Sequence, residues 1–171
     1  MIKSGITFLF AMMCNILTFG QNISLDELIS LSQKNVVNVE EYLTNKQWKV
    51  LSIKQGEESK MNVITFSYKK SSYSDKAESF IKYLYSEEIG TRRINIQINN
   101  TSKYNVYLSS LKAKGVRLID TKIENGSITK VYQGKTLTFM VSTDISSDYM
   151  GATSTSYNFF VLENSDYRIN F

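Results

Sequence analysis

The sequence has no histidine and no proline, and its only cysteine is Cys14. Zinc sites that use His or Cys, and the Ser-His-Asp and Cys-His mechanisms, require side chains that residues 15–171 lack. Disulfide bonds within that segment are excluded too, so packing and hydrogen bonds must stabilise the fold. From these absences we predict that the protein has no metal site, no cofactor and no catalytic residue.

Charge is also modest. The 171 residues include 20 Lys and Arg against 16 Asp and Glu, which gives a net charge of +4. The cations are scattered along the chain, whereas a nucleic-acid-binding protein concentrates them on one face. The composition therefore predicts no nucleic-acid partner. A chain of this size can bury roughly 70% of its unfolded surface in a single core, so one domain suffices.

The amino terminus has the pattern of a secretion signal. Lys3 precedes an apolar segment over residues 6–19, which is too short to span a bilayer and suits a signal peptide. Cleavage after Gly20 would leave residues 21–171 as a single domain in the periplasm or outside the cell, with no membrane span. Lipid attachment at Cys14 is disfavoured because Met13, which is not a small residue, precedes it.

The signal ends in Thr18-Phe19-Gly20-Gln21-Asn22, and a domain rich in Asn, Lys, Ile and Ser follows. In these features the chain resembles short exported proteins of unknown function from the Bacteroidota. The resemblance covers the signal and the general layout. It implies a double-membrane envelope and no particular activity.

Hydrophobic spacing predicts four helices. Ser24-x-x-Glu27 is a capping box that begins the first helix, and Asn38-x-x-Glu41 begins a short second one. The apolar residues of segment 75–88 recur at i, i+3, i+4, i+7 and i+8, which is typical of a long helix. Another long helix begins at Thr101 or Ser102. The apolar stripe of this helix consists of Tyr104, Tyr107, Leu108 and Leu111. The apolar stripe of segment 75–88 consists of Ala77, Phe80, Ile81, Leu84 and Tyr85.

Alternating patterns predict strands. Segments 48–54 and 61–68 form a hairpin, segment 92–99 buries alternate isoleucines, and Asn125-Gly126 is a strong hairpin signal between 116–124 and 127–132. Further strands are predicted at 136–143, 157–163 and 167–171, with a loop over 144–156. The predicted fold class is α+β: a single, mainly antiparallel sheet with two long and one or two short amphipathic helices packed on one face. A faint sequence echo suggests two helix-hairpin units, about 36–99 and 101–171.

Motifs for catalysis are weak. Gly134-Lys135-Thr136 resembles the end of a phosphate loop, but a strand is predicted after it where a helix is needed. Ser79-x-x-Lys82 matches a serine–lysine pattern, yet the partner Lys-Thr-Gly motif is missing. Asp144 and Asp148 lack the regular spacing of a calcium loop. We therefore interpret all three as structural.

An interaction surface is the remaining possibility. Tyr149 and Met150 lie in a Gly- and Ser-rich loop, and such residues are enriched at interfaces. With Tyr157 and Trp48 they are the candidate partner-binding residues. The sequence thus predicts an exported, non-catalytic domain that binds another macromolecule, expected to be a protein, as an envelope adaptor, inhibitor or immunity-type protein. A small-molecule or glycan binder using a concave sheet face, and a hydrolase with carboxylates only, stay open as alternatives.

Overall fold

The structure is a computed structural model that describes residues 23–56, 61–74, 76–147, 151 and 153–171. The predicted signal peptide, residues 1–20, lies outside the described residues. The described residues form four helices: α1 (Leu25–Ser32), α2 (Val36–Asn45), α3 (Thr101–Ala113) and α4 (Asn164–Asn170). The same residues form eight strands: β1 (Lys49–Lys54), β2 (Asn62–Tyr68), β3 (Ser79–Tyr85), β4 (Arg92–Ile98), β5 (Arg117–Glu124), β6 (Ser127–Gln133), β7 (Leu137–Ser147) and β8 (Thr153–Glu163).

All eight strands join one antiparallel sheet in the order β1-β2-β3-β4-β8-β7-β6-β5. The first four strands form one meander and the last four form another. Their final strands, β4 and β8, pair at the centre of the sheet, where Ile96 is opposite Phe159. Strands β1 and β5 are therefore the two edges.

Both meanders begin in the same way. A helix ends, one residue adopts a positive φ, and the following edge strand carries a register shift soon after it begins. The positive φ is 65° at Gln47 and 69° at Gly115. The register shifts lie between Val50 and Ser52 in β1 and between Leu118 and Asp120 in β5. Whether the segments near 36–99 and 101–171 are separate folding units stays a prediction.

The main core lies on one face of the sheet, which we term the covered face. Ile94, Ile96 and Ile98 alternate along β4 and are fully buried, as their spacing predicts. Helix α1 contacts β4 and β8, and α3 contacts β4 on this side. On α3, Tyr107 places its ring 5.1 Å from that of Phe159 and donates a hydrogen bond to the Ile23 carbonyl.

Helix α4 packs on the opposite face, which we term the open face. The Phe171 ring, which follows α4, lies 6.1 Å from the ring of Phe160, whose side chain points away from that of Phe159. The guanidinium of Arg93 donates two hydrogen bonds to the Asp166 carboxylate, at 2.6 and 2.7 Å. This attachment helps to bury a second, smaller set of side chains, which includes Val131, Thr138 and Leu162.

The predicted fold class is wrong in its helices. Segment 75–88 is not a long helix, because residues 79–85 form β3 in the middle of the first meander. The longest described helix has 13 residues and the other three have 7 to 10, so only one of the two predicted long helices exists. The helices also do not share one face, since α4 lies on the open face. The fold is a large antiparallel sheet with short helices.

Of the other local predictions, two are confirmed and two are wrong. The capping box is confirmed, with Ser24 N donating to Glu27 at 2.7 Å and Glu27 N donating to the Ser24 hydroxyl at 3.2 Å. The Asn125-Gly126 turn is confirmed by positive φ at both residues. The loop over 144–156 is wrong, because β7 extends through Ser147 and β8 begins at Thr153. The closing strand at 167–171 is wrong, because α4 covers most of it.

No helix in the described part of the chain is long and apolar enough to cross a membrane.

Candidate functional site

The open face carries a groove across its five central strands. We term it the sheet groove, and its volume is about 470 Å³. Strands β3, β4, β8, β7 and β6 each contribute side chains, so the groove depends on the long-range order of the sheet. Its lining residues are Lys82, Asn95, Gln97, Thr129, Met140, Ser142, Asp144, Ser156, Asn158 and Phe160.

Period-two alternation explains why these side chains meet. Successive residues of a strand point to opposite faces, so Asn95 and Gln97 face the groove while Ile94 and Ile96 enter the core. Register then aligns them across strands. Lys82 is opposite Asn95, Gln97 is opposite Asn158, and Ser142 is opposite both Asn158 and Thr129. The four residues Gln97, Asn158, Ser142 and Thr129 therefore form one continuous polar row across β4, β8, β7 and β6.

Asp144 is the carboxylate of the sheet groove. Its Oδ2 accepts hydrogen bonds from Asn158 Nδ2 at 2.7 Å and from the Ser142 hydroxyl at 3.3 Å. Its Oδ1 accepts a short hydrogen bond from the Ser127 hydroxyl. These three donors come from β8, β7 and β6. They fix the carboxylate in place, and the carboxylate in turn orients the Asn158 amide.

Asn95 and Lys82 are differently placed. The Oδ1 atom of Asn95 is buried and has no hydrogen-bond partner among the described residues. Lys82 is exposed and forms no ion pair with any residue that the structure describes. Lys82 is thus a cation that the fold itself does not pair, whereas the Asn95 acceptor is enclosed by protein atoms.

The wall beside Asn95 is apolar. Phe160 is directly opposite Asn95, and Met140 is directly opposite Phe160. Phe171 supports the Phe160 ring from the side of α4, and the Arg93 guanidinium lies 5.4 Å from the centre of the Phe171 ring. One end of the groove is therefore closed by a cluster that holds an aromatic ring in place.

The groove continues into a wider depression of about 830 Å³, with Gln97 and Ser156 shared between the two. Hydroxyl-bearing residues of the outer parts of β7 and β8 dominate its lining, including Ser146 and Ser154, whose hydroxyls lie 2.8 Å apart. Lys76 adds a second cation. Phe80 is the aromatic residue of this depression.

A third concavity of about 480 Å³ lies at the edge of the sheet. Lys114, Arg117 and Lys135 line it, but Lys114 is paired with Asp26 of α1. Gly134-Lys135-Thr136 belongs to the turn between β6 and β7, and β7 follows it directly. The interpretation of this motif as a hairpin turn is confirmed.

Conventional catalytic groups are scarce. No group of three or more His, Cys, Asp or Glu within the described ranges could hold a metal ion. Ser79 and Lys82 are three positions apart in β3, so their side chains point to opposite faces, and Ser79 is buried. The serine–lysine pattern therefore does not bring a nucleophile and a base together here.

The residues predicted to bind a partner do not converge on the groove. Tyr149 and Met150 lie outside the described residues. Trp48 is 1% exposed, and its ring lies 5.5 Å from the Tyr68 ring in the core. Tyr157 is half-buried on the covered face, with its ring 4.1 Å from that of Tyr104. The structure therefore shows neither Trp48 nor Tyr157 on the open face.

Sequence reasoning did not identify the groove residues as a site. The Lys82, Asn95 and Gln97 side chains come from two neighbouring strands, and Asp144 comes from a segment predicted to be a loop. One available signal was the alternation Asn95-Ile96-Gln97-Ile98, which pairs two amides with two buried isoleucines. Amide side chains that face away from the core at the centre of a sheet indicate a surface that forms polar contacts.

Comparison with known families defines the class. Residues 29–146, more than half of the chain, match a family of ligases, so the protein belongs to a class of enzymes. The family is described as SAICAR synthetase, and the chain belongs to the SAICAR synthetase family. No curated protein and no solved structure matches the chain.

The match corrects the functional interpretation of the sequence. The resemblance to exported proteins of unknown function is wrong as a family assignment, because a named enzyme family covers 29–146. The prediction of a non-catalytic binding domain is wrong for the same reason, together with its alternatives. The absence of His and Cys removed familiar mechanisms from consideration. It did not exclude enzymes that act through Lys, amide and hydroxyl groups.

Proposed function

We propose that this chain is a catalytic domain of the ligase class, of the purine-biosynthesis type, and that its reacting site is the sheet groove. One observation carries the assignment of the site. Seven of the ten groove residues, from Lys82 to Asp144, lie inside the segment 29–146 that matches the family. The other three, Ser156, Asn158 and Phe160, come from β8, which pairs with the matched strands β4 and β7.

Lys82 is proposed to bind an anionic group of the substrate. SAICAR is a ribonucleotide with phosphate and carboxylate groups, so an enzyme that makes it must hold negative charge. A lysine ammonium is a compact charge with three donors and suits this task. Lys82 is free to do so because no described residue competes for it as an ion-pair partner.

The amides are proposed to orient the reactants. Gln97 and Asn158 face each other across β4 and β8, and Asp144 holds the Asn158 amide at 2.7 Å. Asp144 is therefore a positioning residue, because it acts through Asn158 and Ser142. Joining two molecules gains most from holding the reacting atoms in fixed geometry, which can contribute several kcal/mol to catalysis, on the order of 7–11 at most. The rigid sheet supplies that geometry.

The assay is SAICAR formation by the purified chain, supplied with the reactants of SAICAR synthesis and followed by chromatography. We expect turnover by the unmodified chain and a fall of roughly 10²–10³ in kcat for Lys82→Gln, the loss typical of one electrostatic contact at a reacting site. Lys130→Gln is the matched control, since Lys130 is an exposed strand lysine opposite Val141 on the covered face. Equal rates for the two variants, or no turnover by the unmodified chain, would contradict the proposal.

Export remains a separate proposal. The pattern of residues 1–20 supports cleavage after Gly20 and a location outside the cytoplasm, since it has a cationic start and a short apolar segment. Mass spectrometry of the protein from its native host tests it, with Gln21 expected as the first residue. A protein that begins at Met1 and fractionates with the cytosol would refute it.

A further inference from the structure

The two edges of the sheet differ in charge. Both edge strands expose apolar side chains, which are Val50, Leu51 and Ile53 on β1 and Leu118, Ile119 and Ile123 on β5. The charged residues of β1 are Lys49 and Lys54, and lysines on an edge strand discourage pairing with a second strand. Strand β5 instead alternates in sign, with Asp120, Lys122 and Glu124. No segment of the described chain pairs with the outer edge of β5, so its backbone offers a template for another strand.

Asp120 and Lys122 project to the open face at this edge. Lys122 lies opposite Thr129 of β6, which lines the sheet groove, and Asp120 is two residues away on the same face. Within one copy the two charges are loosely paired, because Lys122 Nζ lies 3.9 Å from Asp120 Oδ2, longer than a hydrogen bond. Asp120 Oδ1 accepts a hydrogen bond from Thr121 N at 2.7 Å. Both charged side chains are about two-fifths exposed and are accessible to a second molecule.

The charge pattern of β5 is complementary to itself. Antiparallel pairing of two copies places a two-fold axis through one residue, and residues directly opposite each other then lie on the same face. With the axis at Thr121, Asp120 is opposite Lys122 of the second copy, and this contact occurs twice. An axis at Asp120 or at Lys122 puts like charges directly opposite, which is destabilising. An axis at Ile123 pairs Lys122 with Glu124, but that ladder stops at the turn that follows.

We propose that β5 is a self-association site, at which two copies of this chain pair their β5 strands in antiparallel orientation about Thr121. Two Asp120–Lys122 ion pairs form between the copies, and Ile123 lies at the level of Ile119 of the second copy. Backbone groups at the outer edge of β5 then gain partners in the second strand. The two sheets continue as one, with both sheet grooves open on the same side. The inference does not depend on the ligase assignment.

Sedimentation velocity of the full chain tests the association. Two paired edge strands form a small interface, so we expect a Kd on the order of 10 µM and a sedimentation coefficient that rises toward the dimer value between about 1 and 200 µM. Asp120→Lys or Lys122→Asp puts like charges opposite each other at both contacts and should weaken association about tenfold or more. Lys54→Asp, an exposed position on the other edge strand, is the matched control and should leave Kd within about twofold.

Mixing the two variants gives the sharpest result. Asp120→Lys has cations at both positions and Lys122→Asp has anions at both, so a mixed pair restores opposite charges at both contacts. The equimolar mixture should therefore associate about as strongly as the unmodified chain, although each variant alone associates weakly. The double variant, in which the two charges are exchanged within one chain, should recover the Kd within about threefold. Recovery in either experiment shows that the single variants are folded.

Each other outcome overturns the proposal. An unmodified chain that stays monomeric up to about 200 µM has no self-association site of the expected strength, even if β5 binds an extended segment of another protein. A dimer that withstands Asp120→Lys uses a different register or a different surface. A mixture of the two variants that fails to associate, or an equal loss for Lys54→Asp, contradicts the pairing of Asp120 with Lys122. These results leave SAICAR turnover, and with it the proposed function, to its own test.

Discussion

The two faces of the sheet use the same strands for different purposes. On the covered face, side chains such as Ile96 and Phe159 are fully buried under α1 and α3. On the open face, the residues next to them in sequence, Gln97 and Asn158, line the sheet groove. Because successive residues alternate between faces, each central strand contributes both to the core and to the site. The core and the proposed site are therefore separated by face rather than by region of the chain.

The separation is not complete, because α4 covers part of the open face. There the Arg93–Asp166 pair is largely buried, with 16% and 5% of the side chains exposed. Asp166 also accepts a hydrogen bond from Asn170 Nδ2 at 2.8 Å. The open face thus has a structural part under α4 and a polar part in the groove. Substitutions on the two faces, and on these two parts, should give a graded series of effects.

The largest effect is expected for Phe159→Ala on the covered face. Phe159 is fully buried and its ring contacts those of Tyr104 and Tyr107. Removing a buried phenyl ring leaves a cavity and costs about 4 kcal/mol of unfolding free energy. Urea denaturation measures it. The neighbouring Phe160→Ala is the paired control on the open face and should cost less than half as much, and equal losses would break the distinction between the faces.

A smaller loss is expected for Asp166→Ala. The substitution leaves the Arg93 guanidinium partly buried without its carboxylate, which typically costs about 3 kcal/mol. Chemical denaturation of the variant, of Arg93→Ala and of the double variant gives the coupling between the two side chains. Arg93→Ala and Asp166→Ala should be strongly non-additive. Additive effects would show that the pair does not hold α4 on the sheet.

The third largest loss of stability is expected on removal of the Glu27 carboxylate of α1. Burial is the largest contribution to its pKa and raises it, but hydrogen bonds from Lys46, Tyr42 and Ser24 outweigh burial and lower the pKa to about 2. A pKa lower in the folded than in the unfolded chain stabilises the fold above pH 4.5, and the stabilisation is lost as the pH falls toward about 2.

Glu27→Gln should therefore cost about 1.5 kcal/mol at pH 7, the value of a charge-assisted hydrogen-bond network that is partly exposed. The difference from the unmodified chain should shrink between pH 4.5 and about 2. Unfolding free energies at a series of pH values measure it. Asp26→Asn, one residue away and more exposed, is the control and should show little effect. A pH-independent difference for Glu27→Gln would contradict the assignment.

The smallest effect on stability is expected for Lys82→Gln in the groove. Lys82 is exposed and makes no ion pair with a described residue, so its unfolding free energy should change by less than about 0.5 kcal/mol. The same variant is expected to lose most of its turnover. A large loss of stability would contradict the distinction between the two faces, because it would show that groove residues also support the fold.

The sequence predicted the covered face better than the open face. Ile94, Ile96 and Ile98 alternate cleanly because the residues between them are polar, so the strand was identifiable. In β3 the open face carries Phe80 and Leu84, which alternate with the buried Ile81 and Tyr83. Apolar residues on both faces of a strand also satisfy helical spacing. The long helix predicted for 75–88 followed from that ambiguity.

Tertiary contacts decided the other two errors. Segment 144–156 has no apolar alternation because the ends of β7 and β8 extend beyond the rest of the sheet, and both of their faces are exposed. The terminal segment has strand-like spacing, yet α4 forms because Asp166 binds Arg93 and Phe171 contacts Phe160. The groove was hidden for a related reason. Its members lie on five strands, and only the strand order brings them together.

The most direct test of the site is chemical-shift mapping by NMR with SAICAR added to the isotope-labelled chain. The account predicts that the side-chain amides of Asn95, Gln97 and Asn158 shift on binding, together with backbone amides of β3, β4 and β8. Signals of α1 and α3 on the covered face should stay where they are. Shifts confined to the covered face, or no shifts at saturating SAICAR, would contradict the claim that the open face carries the function.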